Sequence, residues 1–194
     1  MINSTINFDV DIDLANRNDF LKHVDCIPAS VIRDGKMTKH NTGVYFQKMP
    51  VMPLTGLAAL DYKEAEQAGY LKVDFLNNHV YAGVKSPAHL DKLVEQEPLW
   101  DMLNYAEIIG QLFQINQHAD LVIQHKPQTL EQLAQVLAII RPAKRHLQGK
   151  SWEEIAQTVW EPAQDNSYFF KHSHAISYAL VIVVQMNLLR EQAA

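Results

Sequence analysis

Residues Asp61–Leu76 read "DYKEAEQAGYLKVDFL", and this stretch sets the fold class. Asp61 and Glu64 stand at capping-box spacing, the next residues favour a helix, and Gly69 suits its end. After the glycine the pattern changes period. Leu71, Val73 and Phe75 alternate with Lys72 and Asp74, which predicts a strand over Tyr70–Leu76 with an apolar and a charged face. A helix running directly into a strand, in a chain whose first third is β-rich and whose remainder is helical, predicts an α+β fold.

Working outward, "INFDVDID" (Ile6–Asp13) alternates Ile6, Phe8, Val10 and Ile12 with Asn7, Asp9, Asp11 and Asp13. One face of this strand carries three carboxylates at same-face spacings of about 7 Å. Each neighbouring pair repels by about 2 kcal/mol at an effective dielectric near 20. A solvated edge strand tolerates this, and charges protect edges from aggregation. A metal site exploits it, because hard divalent cations take carboxylate oxygens. "GVYFQKM" (Gly43–Met49) is a further strand candidate. If the strands bearing Asp9, Asp11 and Asp74 are neighbours, three carboxylates converge, as a two-metal centre requires.

Later segments carry helix starts: Ser86 with Pro87, Thr129 with Gln132, and Ser151 with Glu154. A last helix is expected from near His174 to Arg190, although its β-branched run Val181–Val184 also suits a strand. The stretch "AISYALVIVVQMNLL", interrupted by Ser177, Gln185 and Asn187, is expected to be a buried helix rather than a membrane span. The expected division is residues 1–85, β-rich, and 86–194, helical.

The 194 residues carry a net charge of −5 and a single cysteine, Cys26. One cysteine excludes an intramolecular disulfide and any multi-cysteine zinc site. The opening residues do not read as a signal peptide, and the expected compartment is the cytoplasm. A chain that grips long duplex unaided presents a basic patch; the densest basic cluster here is "RPAKRH" (Arg141–His146). Gly149–Ser151 ("GKS") lacks the earlier glycine of a phosphate loop and reads as a helix cap. His172 and His174 lack further ligands for zinc. Trp100, Trp152 and Trp160 are expected to pack in amphipathic helices.

Six segments, "INFDVDID", "KHNTGVYF", "ALDYKEAEQAGYLKVDFL", "LFQINQ", "IIRP" and "FKHSHAISYAL", stand in the order of motifs in bacterial DNA polymerase III alpha subunits, the C-family replicative polymerases. The chain resembles that family over most of its length. The resemblance implies a polymerase β-like nucleotidyltransferase palm in the first part and a fingers-like helical part in the second. It implies Asp9, Asp11 and Asp74 as catalytic ligands of two Mg2+ ions, and Lys39, His40, Arg141, Lys171 and His174 as groups that grip a deoxynucleoside triphosphate. Arginine and lysine suit that role through charge-assisted contacts.

The departures are specific. The family's Lys-Ser-His run aligns with His172, Ser173 and His174, leaving Lys171 one place early; Asn7, Asn116 and Gln117 also replace usual family residues. Fewer than thirty residues separate Asp11 from Lys39, where the family carries a thumb, and most of the fingers between Arg141 and Lys171 are missing. The implied protein is a miniature polymerase subunit of a bacterial or virus-infected bacterial cell. It would bind primer–template DNA weakly, without a membrane, and with a replication partner holding the DNA. The alternative is a non-catalytic polymerase-derived protein that binds such a partner.

Overall fold

A computed structural model of the chain describes residues 10–162 and 169–193. Two compact units divide at Ala82 and Gly83. The first is built on a four-stranded mixed sheet and the second is helical, which makes the protein α+β.

In the first unit, strands β1 (Val10–Leu14), β2 (Ile27–Arg33), β3 (Lys36–Tyr45) and β4 (Val73–Asn77) lie in the order β1-β4-β3-β2. β1 runs parallel to β4, and the other neighbours are antiparallel. Helix α1 (Arg17–Leu21) follows β1 and helix α2 (Tyr62–Gln67) precedes β4. β2 and β3 form a hairpin whose turn, Asp34–Gly35, has φ of 51° and 73°. That is the left-handed pair a two-residue turn needs to match strand twist. β2 lies outside the expected strands, and β3 begins at Lys36, seven residues before the expected start at Gly43; Asp34–Gly35 is the local signal for both.

α2 forms as its sequence predicts. The Asp61 carboxylate accepts from Lys63 N–H and the Glu64 side chain accepts from Asp61 N–H. At the other end, Gly69 N–H donates to Glu66 and Tyr70 N–H to Ala65, with Gly69 at φ 86°. This double closure of the last helical turn draws Tyr70 into the helix end. Leu71 N–H then turns to the Gln47 side chain, so β4 begins at Val73 rather than at Tyr70. Val44, Val73 and Phe75 form an apolar cluster on one sheet face, with Leu21 and Cys26 against it. On the other face Ala29, Tyr45, Ala58 and Ala65 are buried together.

In the second unit, α4 (Ala106–Ile109), α5 (Ala119–His125), α6 (Leu130–Ile139), α7 (Trp152–Thr158) and α8 (His172–Ala193) share one core, and α3 (Pro87–Glu95) packs on α8. α6 is buried from Leu133 to Ile139 and packs on α8. Ser86 and Thr129 cap α3 and α6, and Ser151 with Glu154 forms a capping box on α7. The Gln132 side chain serves differently from its capping-box expectation: it accepts from Gln128 N–H, outside the helix. α8 extends beyond the expected range at both ends, and Val181–Val184 is helical and buried within it. Packing on several sides overrides the strand preference of that run. By length and composition α8 could cross a bilayer, with half of its most apolar window buried inside the protein. Asn187, in its C-terminal half, is fully buried, its amide donating to the carbonyls of Leu93 at 2.9 Å and Gln96 at 2.8 Å. Trp100 sits in a 3-10 turn (Trp100–Asn104) and Trp160 just beyond α7, so neither lies on the expected α-helices.

Candidate active site

Asp11 and Asp74 are direct register partners across the parallel β1–β4 pair. Neighbouring strands lie about 4.8 Å apart and register partners share a face, so these two carboxylates converge as adjacency requires. Asp9, the third carboxylate of the expected set, lies outside the described residues. Asp11 is exposed, whereas Asp74 is buried. Asp13 is half-buried and accepts from the Asn78 amide at 3.1 Å. Burial chiefly raises its pKa; the Asn78 bond opposes the rise and the Asp11 charge adds to it.

Gly43 faces Asp74 from β3. Immediately before it the strand is irregular. Ser30 pairs with Lys39 but Pro28 pairs with Val44, so residues 40–43 on β3 lie opposite Ala29 alone. Such a bulge re-aims side chains. Here it brings Thr42 Oγ1 to donate to Asp74 Oδ1 at 2.5 Å and sets the His40 ring 3.6 Å from the same oxygen. Lys72, immediately before β4, forms an ion pair with Asp74 Oδ2. Gly43 leaves space for this arrangement: a Cβ there would lie 2.8 Å from Lys72 Cδ and 3.0 Å from His40 Nδ1.

His40 is not the cationic partner of Asp74. Its Nδ1 accepts from Gly43 N–H at 2.9 Å, which places the ring proton of the neutral imidazole on Nε2. Burial holds its pKa below the usual 6.5, with the Lys72, Arg33 and Arg17 charges adding to the depression and Asp61 opposing it. The site therefore offers a neutral imidazole donor, a lysine ammonium, a threonine hydroxyl and two carboxylates.

The donor set suits a divalent cation. Magnesium commonly takes one or two carboxylates from protein and completes its shell with water and substrate phosphates; Asp11 and Asp74 supply that number. Among the described residues no group of three or more histidine, cysteine or acidic side chains is placed to hold a metal, so a second ion would need Asp9. Lys72 already matches one Asp74 oxygen with a positive charge, and a metal ion would displace it.

The remaining expected groups are distributed as follows. Lys39, on β3, is exposed and lines a hollow beside α1. Arg141, Lys171 and His174 belong to the second unit. There Arg141 donates to Gln114 at 2.7 Å and lies 4.5 Å from the Phe170 ring centre, against which His174 stacks. Gln114 holds φ at 63°, so "LFQINQ" and "IIRP" meet through a left-handed glutamine. His172 pairs with Glu131 at 2.9 Å and packs on Trp160, contacts that engage it without zinc. Lys171 is exposed. Thr42 and Lys72 were missed as site residues. The shared face of Lys72 and Asp74 was legible from period-2 alternation, but the bulge that delivers Thr42 has no comparable signal.

Comparison with protein-family models, with curated proteins and with solved structures finds no match in any of the three.

Proposed function

We propose that the protein is a magnesium-dependent nucleotidyltransferase, a reduced polymerase III alpha-like subunit that adds deoxynucleotides to a DNA primer end. Its sheet would be a polymerase β-like palm and its helical unit a fingers-like part. The observation carrying this reading is the in-register pairing of Asp11 with Asp74. It is supported by the order of the six sequence motifs and by the phosphate-compatible groups around Asp74.

On this reading Asp11 and Asp74 hold the magnesium, with Asp9 as the further ligand. A bound magnesium ion supplies charge neutralisation for the phosphates and lowers the pKa of the attacking hydroxyl. The chain's own residues do the positioning. Thr42 fixes the Asp74 carboxylate through its hydroxyl, so the ligand needs little reorganisation when substrate arrives. Lys72 exchanges Asp74 for a phosphate oxygen as the site fills, keeping its charge matched in both states. His40 presents Nε2–H as a neutral donor. In the transfer the primer 3′ oxygen bonds to the α-phosphorus while the bond to the pyrophosphate oxygen breaks, and the hydroxyl proton leaves to solvent. Arg141, Lys171 and His174, in the helical unit, are the further triphosphate groups that the resemblance implies. The acidic balance of the chain makes a partner necessary to hold primer and template.

One observation favours the non-catalytic alternative: the Lys72–Asp74 ion pair satisfies the buried carboxylate without any metal. Primer extension separates the two. Purified protein is incubated with labelled primer–template, magnesium and four deoxynucleoside triphosphates at low salt, beside Asp11→Asn and Asp74→Asn. Template-directed extension lost in both variants supports the transferase. Absence of extension together with absence of magnesium-dependent triphosphate binding overturns it and leaves the partner-binding protein.

A further inference from the structure

On the sheet face carrying Val44, opposite the Gly43–Asp74 pair, lies a hollow of about 280 Å3 lined by residues that include Arg17, Leu21, Lys22, Cys26, Lys39 and Val44. Arg17 decides its chemistry. The residue is more than nine-tenths buried, and it has no carboxylate partner among the described residues. Its Nη2 donates to the Thr42 carbonyl at 3.2 Å, while Nε is buried without any partner among the described residues. Its backbone N–H is fixed to the Asn77 side chain at 2.7 Å, so the guanidinium is anchored beside the sheet. Lys22, by contrast, is matched by Asp19 at 2.8 Å. Lys39 forms no ion pair among the described residues either, so Arg17 and Lys39 are two cations on one small hollow with no carboxylate partner among those residues.

A buried guanidinium with no counter-charge is costly unless an anion completes it. The number of charges narrows the anion. A carboxylate would match one of the two cations, whereas a phosphate group near neutrality carries a charge of roughly −1.5 to −2 and three acceptor oxygens. The arginine fork suits adjacent oxygens of such a group, and lysine serves as a second point charge. We propose that this hollow is a binding site for a phosphate group, gripped by Arg17 and Lys39. The site needs neither magnesium nor Asp74; it shares with the transferase reading only Lys39, which the resemblance also implies for the triphosphate.

Cys26, the only cysteine in the chain, lines the hollow and reports on it. Burial raises its thiol pKa, Arg17 pulls it down, Asp25 adds to the rise and Lys39 again lowers it. A phosphate in the hollow shields the thiol and cancels the two cationic pulls, so it slows alkylation. The experiment follows iodoacetamide modification of Cys26 in the full chain at mildly alkaline pH, without magnesium and at chloride-matched ionic strength. Inorganic phosphate, a deoxynucleoside triphosphate and acetate are compared as added anions. The expected result is saturable slowing by phosphate of about threefold or more, since the thiolate is the reacting form, with acetate far weaker. Protection by inorganic phosphate assigns a separate small anion; protection by the triphosphate at lower concentration assigns its phosphate tail.

Lys39→Ala, at an exposed position, weakens the phosphate dependence, and Arg17→Gln removes it. Asp74→Asn leaves it in place, which keeps failure here distinguishable from failure of the transferase. An alkylation rate indifferent to phosphate and triphosphate, or slowing that persists unchanged in Lys39→Ala and Arg17→Gln, overturns the proposal.

Discussion

Replacing Lys72 by methionine removes the ammonium while keeping most of the side-chain stem, and so isolates what the charge does for Asp74. The two side chains are 21% and 9% exposed, enough burial for the pair to act unlike a surface ion pair. At an ordinary contact of about 3 Å and an effective dielectric near 20, the attraction is about 5 to 6 kcal/mol. Desolvation of both groups offsets much of this, but removing one partner strands the other in its buried position. Thr42 still donates to the orphaned carboxylate, which reduces the penalty. The expected loss for Lys72→Met is therefore about 3 kcal/mol at neutral pH. In an Asp74→Asn background the same replacement strands no charge, and its effect falls to about 1 kcal/mol or less. The coupling energy from urea unfolding of the four proteins is then about 2 kcal/mol. A single-variant loss and a coupling both below about 0.5 kcal/mol, the range of exposed pairs, would refute the view that Lys72 holds Asp74 in place.

Gly43→Ala drives a methyl group against Lys72 Cδ and His40 Nδ1; the expected loss is about 1 to 3 kcal/mol by overpacking, with a matching fall in magnesium–triphosphate affinity measured by calorimetry. The His40 ring, followed by NMR, should titrate below 6.5 because of burial, and its midpoint should rise in Lys72→Met as that cation is removed. Its folded-state pKa is depressed, so its contribution to stability is present above about 6.5 and is lost as pH falls toward the lower folded-state value. Asn187→Ala leaves the carbonyls of Leu93 and Gln96 without their donor, and thermal or urea melts should register a loss of about 2 to 3 kcal/mol.

The legible parts of the chain were those whose local chemistry and tertiary surroundings agree. α2 with its two caps, the Ser86 and Ser151 helix starts, and the shared face of Lys72 and Asp74 follow from residue types a few positions apart. β2 was missed because "IPASVIR" alternates weakly, although the Asp34–Gly35 turn beyond it was visible. β4 started later than its alternation suggested because closing α2 consumed Gly69 and Tyr70 first. The helix over Val181–Val184 is a decision of the core, which buries that run on more sides than a strand face allows. The Asp11–Asp74 register required the parallel pairing, and no periodicity within either strand specifies which neighbour it takes. Arg17 carried no signal at all: an arginine opening a short helix is ordinarily a solvated charge, and only the fold buries it.

The central claim, that Asp11 and Asp74 form a magnesium-dependent nucleotide site, meets its most direct test in calorimetric titration of a deoxynucleoside triphosphate into the protein, with and without magnesium, beside Asp74→Asn. The account predicts binding that requires magnesium and weakens at least about tenfold in Asp74→Asn, a difference of about 1.4 kcal/mol. Binding indifferent to both magnesium and Asp74, or no binding at all, would contradict it.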